Sequence, residues 1–80
     1  MVINGVVWEM KSPQASDRKA IERNLRKACK QSTSIIVDSQ RMKGASDVEI
    51  EKRSRSVYPH IKAIKRLRFV NRERRIIDIK

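Results

Sequence analysis

The amino-acid sequence predicts a small α/β (α+β) domain, one mixed β-sheet carrying two helices in the order β-β-α-β-α-β-β. Three features predict it: an Asn-Gly pair between β-branched residues, a helix-period apolar stripe within residues 17–31, and an unbroken β-branched run at Ser34-Ile35-Ile36-Val37-Asp38. The chain of 80 residues has the length of one domain. At that size roughly 60% of the surface exposed by the unfolded chain is buried, so the core is modest. Apolar residues at 39% suffice for it, and aromatics at 4% make it aliphatic around Trp8.

Val2-Ile3-Asn4-Gly5-Val6-Val7-Trp8 specifies a hairpin, because a two-residue turn of this kind needs positive φ at both of its positions. Its first strand starts at Met1 and is short, as at a boundary where an upstream segment of a longer protein would join. The second strand runs from Val6 to about Lys11 and is closed by Ser12-Pro13. Ser16 is placed to cap a helix from about Asp17 to Gln31, with Asp17 at its positive end. Ile21, Leu25, Ala28 and Cys29 form the apolar stripe, and Lys19, Arg23, Arg26, Lys27 and Lys30 fall on the opposite side of the wheel. The run 34–38 reads as an inner strand covered on both faces, and 39–45 as a polar loop. Ser46-Asp47-Val48-Glu49 is a capping box that starts a second helix at Asp47; Pro59 ends it near Tyr58. Residues 64–70 alternate apolar with basic and read as a strand. A charged turn over 71–75 leads to the returning strand Ile76-Ile77-Asp78-Ile79.

Twenty Lys and Arg against nine Asp and Glu give a net charge of +11. Self-repulsion of that size opposes compaction, so an anionic partner is expected, and nucleic acid, RNA above all, leads. The scarcity of aromatics argues against a stacking platform for single-stranded bases. No stretch approaches the ~18 apolar residues of a membrane-spanning helix, and Met1–Trp8 lacks the positive leader of a signal peptide. One cysteine, Cys29, allows no internal disulfide and fits a reducing cytosol. With one His as well, no zinc cluster can assemble.

Strand alternation puts Val7, Glu9 and Lys11 on one face, with Glu9 and Lys11 roughly 6.5–7 Å apart at the backbone. A carboxylate beside an ammonium suits phosphodiester cleavage. The carboxylate holds a divalent metal or acts as base, and the ammonium orients water or stabilises the pentavalent phosphate. Acid-x-basic also occurs at Asp17-Arg18-Lys19 and Asp78-Ile79-Lys80, so spacing alone equally describes an exposed ion pair worth ~0–1 kcal/mol. Arg23, Arg26, Lys27 and Lys30 form a ridge suited to a phosphate backbone, and Lys65, Arg66 and Arg68 add basic positions on a strand. The ridge equally describes a solvated, solubilising face. His60, the only group that ordinarily titrates near neutrality, is the acid or base a metal-free ribonuclease would use; it equally describes an ordinary surface histidine. Ser12 is placed to donate to phosphate or simply to end its strand, and Cys29 reads as buried filler.

Trp8-Glu9-Met10-Lys11-Ser12-Pro13, the segment Ile21-Glu22-Arg23-Asn24-Leu25-Arg26-Lys27-Ala28-Cys29-Lys30-Gln31-Ser32, and Ile35-Ile36-Val37-Asp38 together resemble the C-terminal tRNase domain of contact-dependent growth-inhibition (polymorphic) toxins. The resemblance extends over nearly the whole chain. Some members of that group look like PD-(D/E)xK nucleases, which implies Glu9 and Lys11 at the E-x-K positions and Gln31 as a supporting residue. That pattern also expects an acid before Glu9, where residues 1–5 read Met-Val-Ile-Asn-Gly; Asp38 is the substitute, with Glu9 and Asp38 as the candidate ligands of Mg2+. The resemblance implies a tRNA-cleaving endoribonuclease that acts in the cytoplasm, is delivered as part of a larger secreted toxin, and is neutralised by an acidic immunity protein. Readings of another class are a non-catalytic nucleic-acid-binding module or an accessory protein of a mobile element.

Overall fold

The structure, a computed structural model, describes residues 2–80; Met1, where the first strand was expected to start, lies outside the described residues. Asn4 and Gly5 have φ of 51° and 80°, the positive values a two-residue hairpin turn demands. They join β1 (Val2–Ile3) to β2 (Val6–Val7), which pair antiparallel as Val2↔Val7 and Ile3↔Val6.

The expected continuous strand from Val6 to Lys11 is instead two strands in two sheets. The chain breaks at Trp8, and β3 (Glu9–Lys11) joins β4 (Ser34–Asp38) in parallel, with Glu9↔Ile35 and Lys11↔Val37. The reason lies in what each partner offers. β1 supplies described partners only for Val6 and Val7, whereas β4 is a full five-residue strand whose residues are all buried. Trp8 turns at the junction and buries its ring with Ile36 and Val70, beneath Ile3 and Val6 of the hairpin. The single mixed sheet expected from the sequence is therefore a four-stranded sheet plus a separate two-stranded ribbon.

The larger sheet runs β3-β4-β5-β6, where β5 is Arg66–Val70 and β6 is Ile76–Asp78. The β4–β5 pairing is parallel and β5–β6 antiparallel. Parallel neighbours need crossover connections, and helices α1 (Arg18–Ala28) and α2 (Asp47–Val57) supply them. Both helices cover the same face. Ile21, Leu25 and Ala28 of α1 and Ile50 and Val57 of α2 pack with Ile35, Val37, Leu67 and Phe69 of the strands. The opposite face carries the Trp8 cluster under the hairpin.

The helix ends show what tertiary contact adds to local signals. Asp17, not Ser16, caps α1, accepting from the Ala20 amide at 3.2 Å. Ser16 is drawn away to donate to the Lys43 carbonyl at 2.7 Å. The helix stops at Ala28, before the expected Gln31, and Lys30 and Gln31 continue as tighter turns bonded to the carbonyls of Lys27 and Ala28. Ser46 caps α2 as expected, accepting from the Glu49 amide. Pro59 then turns the chain into a single 3₁₀ turn, Tyr58–His60. Among the described residues, no helix is long and apolar enough to cross a membrane.

Candidate functional site

Glu9 and Lys11 occupy the edge strand β3, both half-buried, on the face that α1 flanks. Neither side chain makes a hydrogen bond or ion pair with any described residue, and the two do not pair with each other. The exposed ion pair that the spacing equally described is thus absent among the described residues. Glu9 and Gln31 line one open depression of about 280 Å³ with Val7, Trp8, Met10 and Ser32. Two chain segments meet there because Ser32 donates its hydroxyl to the Val7 carbonyl at 2.6 Å. That contact joins the turn after α1 to the end of β2, and Ser32 was not among the candidates read from the sequence.

The other candidates are dispersed. Ser12 is half-buried just beyond β3. His60 is exposed in the 3₁₀ turn and does not line the depression. Asp38 lies three positions past Ile35, the partner of Glu9, and strand alternation sends it to the opposite face. Asp38 is 6% exposed, and its carboxylate is held by Arg74 at 2.9 and 3.0 Å and by the Gln40 backbone amide at 2.9 Å. Magnesium sites are built from carboxylates, waters and substrate phosphates in near-octahedral array. Glu9 is the only carboxylate lining the depression, and no group of three or more His, Cys, Asp or Glu side chains converges among the described residues. The donor set around Glu9 does not fit a two-carboxylate magnesium site, and the structure does not bring Glu9 and Asp38 together.

The cationic ridge is present but not uniform. Arg23, Lys27 and Lys30 are exposed and unpaired among the described residues, whereas Arg26 is bound to Glu22 at 3.1 Å. Lys65 and Arg66 are exposed, but Arg68 is engaged twice, 4.6 Å above the Trp8 ring and 2.8 Å from Asp78. Cys29 is half-buried against the core. Burial pushes its thiol up and Arg26 pulls it part-way back, the reverse of what a nucleophile needs.

A second cavity, of about 620 Å³, opens at the C-terminal ends of the parallel strands, lined by Gln14, Gln40, Arg41 and Lys43. It lies between the loop after β3 and the loop after β4. The sequence marked residues 39–45 only as polar, and Gln14 not at all.

Against known proteins, residues 1–76 match the model of the contact-dependent growth inhibition CdiA C-terminal domain family. The chain belongs to this family. No curated protein and no solved structure matches it. The domain is accordingly a growth-inhibition toxin module, of a family named for the C-terminal piece of a larger protein. CdiA C-terminal toxins commonly pair with immunity proteins. On this CdiA C-terminal domain, the two depressions described are open and poor in carboxylates, and the chain is strongly cationic.

Proposed function

We propose that this CdiA C-terminal domain is an endoribonuclease that cleaves tRNA, with Glu9 and Lys11 as the catalytic pair. The observation that carries the reading is a carboxylate and an ammonium, both unpaired among the described residues, on one face of the edge strand, with Glu9 opening into a depression shared with Gln31. The exposed cations of α1, on the helix beside β3, supply the phosphate-binding surface that such a site needs. The resemblance to tRNase domains supports tRNA as the substrate.

The nucleophile that suits this site is the 2′-hydroxyl next to the scissile phosphate, because an attached, oriented nucleophile brings its own proximity advantage. Glu9 takes the 2′-hydroxyl proton as the oxygen attacks phosphorus. Lys11 stabilises the charge that builds on the phosphoryl oxygens. The bond to the 5′-oxygen breaks, that oxygen leaves with a proton from solvent, and a 2′,3′-cyclic phosphate remains. Gln31 is placed to hydrogen-bond the substrate beside Glu9. The site of action is the cytoplasm, after delivery as part of a larger secreted protein.

The test is incubation of the purified domain with total tRNA, in magnesium and in chelator. Cleavage with cyclic-phosphate ends is expected in both. Glu9→Gln and Lys11→Met are each expected to lose at least ~10²-fold in rate with thermal stability nearly unchanged. Full cleavage by both variants would transfer the chemistry to His60 or another group. No cleavage by the unmutated domain, with salt-dependent RNA binding intact, would leave a non-catalytic binding module.

A further inference from the structure

The larger cavity is not part of the depression at Glu9, and its construction points to a ligand. It sits beyond the carboxyl ends of the parallel strands β3 and β4, and about 620 Å³ is within the size range of small-molecule sites. Its lining comprises two amides and two cations, with no carboxylate. Gln14, Arg41 and Lys43 spend their side chains on no described residue. Gln40 is fixed from behind: its backbone amide donates to Asp38 at 2.9 Å, and its side-chain oxygen accepts from Arg74 at 3.4 Å. Its amide nitrogen is the end left for a ligand. Buried Asp38 therefore works through Arg74 and Gln40, as a brace for this wall.

The two walls are tied together across the fold. Lys43 donates its amide to the Gln14 carbonyl at 3.3 Å, and Ser16 donates to the Lys43 carbonyl at 2.7 Å. Arg53 of α2 holds the Ser16 carbonyl at 2.8 Å, and the Arg72 guanidinium holds that of buried Met42. Gly44, with φ of +82°, turns the second wall. A cavity whose walls are bonded to each other before any ligand arrives loses little freedom when one binds.

We propose that this cavity is a nucleotide subsite, taking one unstacked ribonucleotide of the RNA strand that the Glu9–Lys11 pair cleaves. The proposal rests on the ribonuclease reading for its ligand's origin. Side-chain amides carry donors and acceptors together and so match a base edge, while Arg41 and Lys43 match the phosphate. The lining has no aromatic group, so edge hydrogen bonds and the Arg41 guanidinium plane recognise the base. Gln14 follows Lys11 by three residues and Glu9 by five, reaches of at most about 11 and 18 Å, a span that a few nucleotides of one strand cover.

Nucleoside 5′-monophosphates of all four bases, and inorganic phosphate, are titrated into the isotope-labelled domain and followed by amide chemical shifts. Saturable shifts are expected at Gln14 and residues 40–43. At least one nucleotide is expected to bind about tenfold tighter than phosphate, a ratio one good base contact supplies. Gln14→Ala with Gln40→Ala is expected to abolish that preference while phosphate still binds. Arg41→Ala with Lys43→Ala is expected to remove both ligands, with shifts elsewhere showing an intact fold. Equal affinity for phosphate and all nucleotides, a preference that survives loss of both glutamines, or shifts that map elsewhere would each overturn the subsite. Mononucleotide binding is read without cleavage, so binding retained by a Glu9→Gln variant supports a subsite separate from the depression at Glu9, and a subsite that fails while tRNA is cleaved retires only this proposal.

Discussion

Arg68 and Arg66 are two residues apart on one strand, yet their charges serve different ends. Arg66 is exposed and free among the described residues, whereas Arg68 covers the indole of Trp8 and pairs with Asp78. Arg68→Met is therefore expected to lower stability by about 1 kcal/mol, the sum of an exposed cation–π contact and a surface ion pair. The salt dependence of RNA binding should stay as it was. A flattened salt slope with an unchanged melting temperature would place Arg68 on phosphate instead. Cys29 offers a second residue-scale measurement. Its thiol is raised by burial, so the folded state favours the protonated form. The stability this contributes is complete below the ordinary thiol range and is lost as pH rises through the raised value. Alkylation of the folded domain near pH 8 is expected to be slower than that of the unfolded chain, and Cys29→Ala should blunt the alkaline loss of stability. That Arg68 covers Trp8 could not be read from the sequence. Arg68 is distant in the chain, and an alternating apolar-basic strand gives no sign of which basic residue will lie on an aromatic ring.

At the scale of elements, local rules predict what stays local. The hairpin turn, the α2 cap at Ser46 and the stop at Pro59 each depend on a few adjacent residues and appear where the sequence places them. β4 was equally legible, because five buried positions in a row require an unbroken apolar or β-branched run. The departures come where two local solutions compete and a distant contact chooses. Ser16 and Asp17 both make good caps, and the Lys43 carbonyl takes Ser16. Of the candidate site, the Glu9–Lys11 strand was legible and the larger cavity was not, since Gln14 and Lys43 meet through a loop–loop bond with no periodic signature. The α1 ridge also gains resolution. Neutralising Arg23, Lys27 and Lys30 together should reduce the slope of log affinity against log salt by up to about three contacts' worth. Neutralising Arg26 alone should matter less, because Glu22 already holds it. A slope unchanged by the triple variant would move the RNA-binding face to Lys65 and Arg66.

For the molecule as a whole, a net charge of +11 sets terms for any protein that neutralises it. An acidic immunity partner is expected, with an association rate that falls steeply as salt rises, because complementary fields steer encounter. A partner with a basic contact face, or one that binds away from β3 and still protects, would contradict this. The core beneath that charge has little reserve. Leu25 is fully buried between helix and sheet, and Leu25→Ala should cost about 2–5 kcal/mol, a large share of a small domain's total. The break of the chain at Trp8 governs the order of assembly. Helices α1 and α2 and the β1–β2 hairpin can form from neighbouring residues within microseconds. The parallel pairings of β3 with β4 and of β4 with β5 each have to close a loop containing a whole helix, so they form later. Trp8, the only tryptophan, sits at the joint between the early hairpin and the late edge strand. Its fluorescence should therefore lag behind the helical signal during refolding and rise in step with the docking of β3 on β4, making the indole a built-in clock for the closing of the sheet edge that carries the proposed Glu9–Lys11 pair.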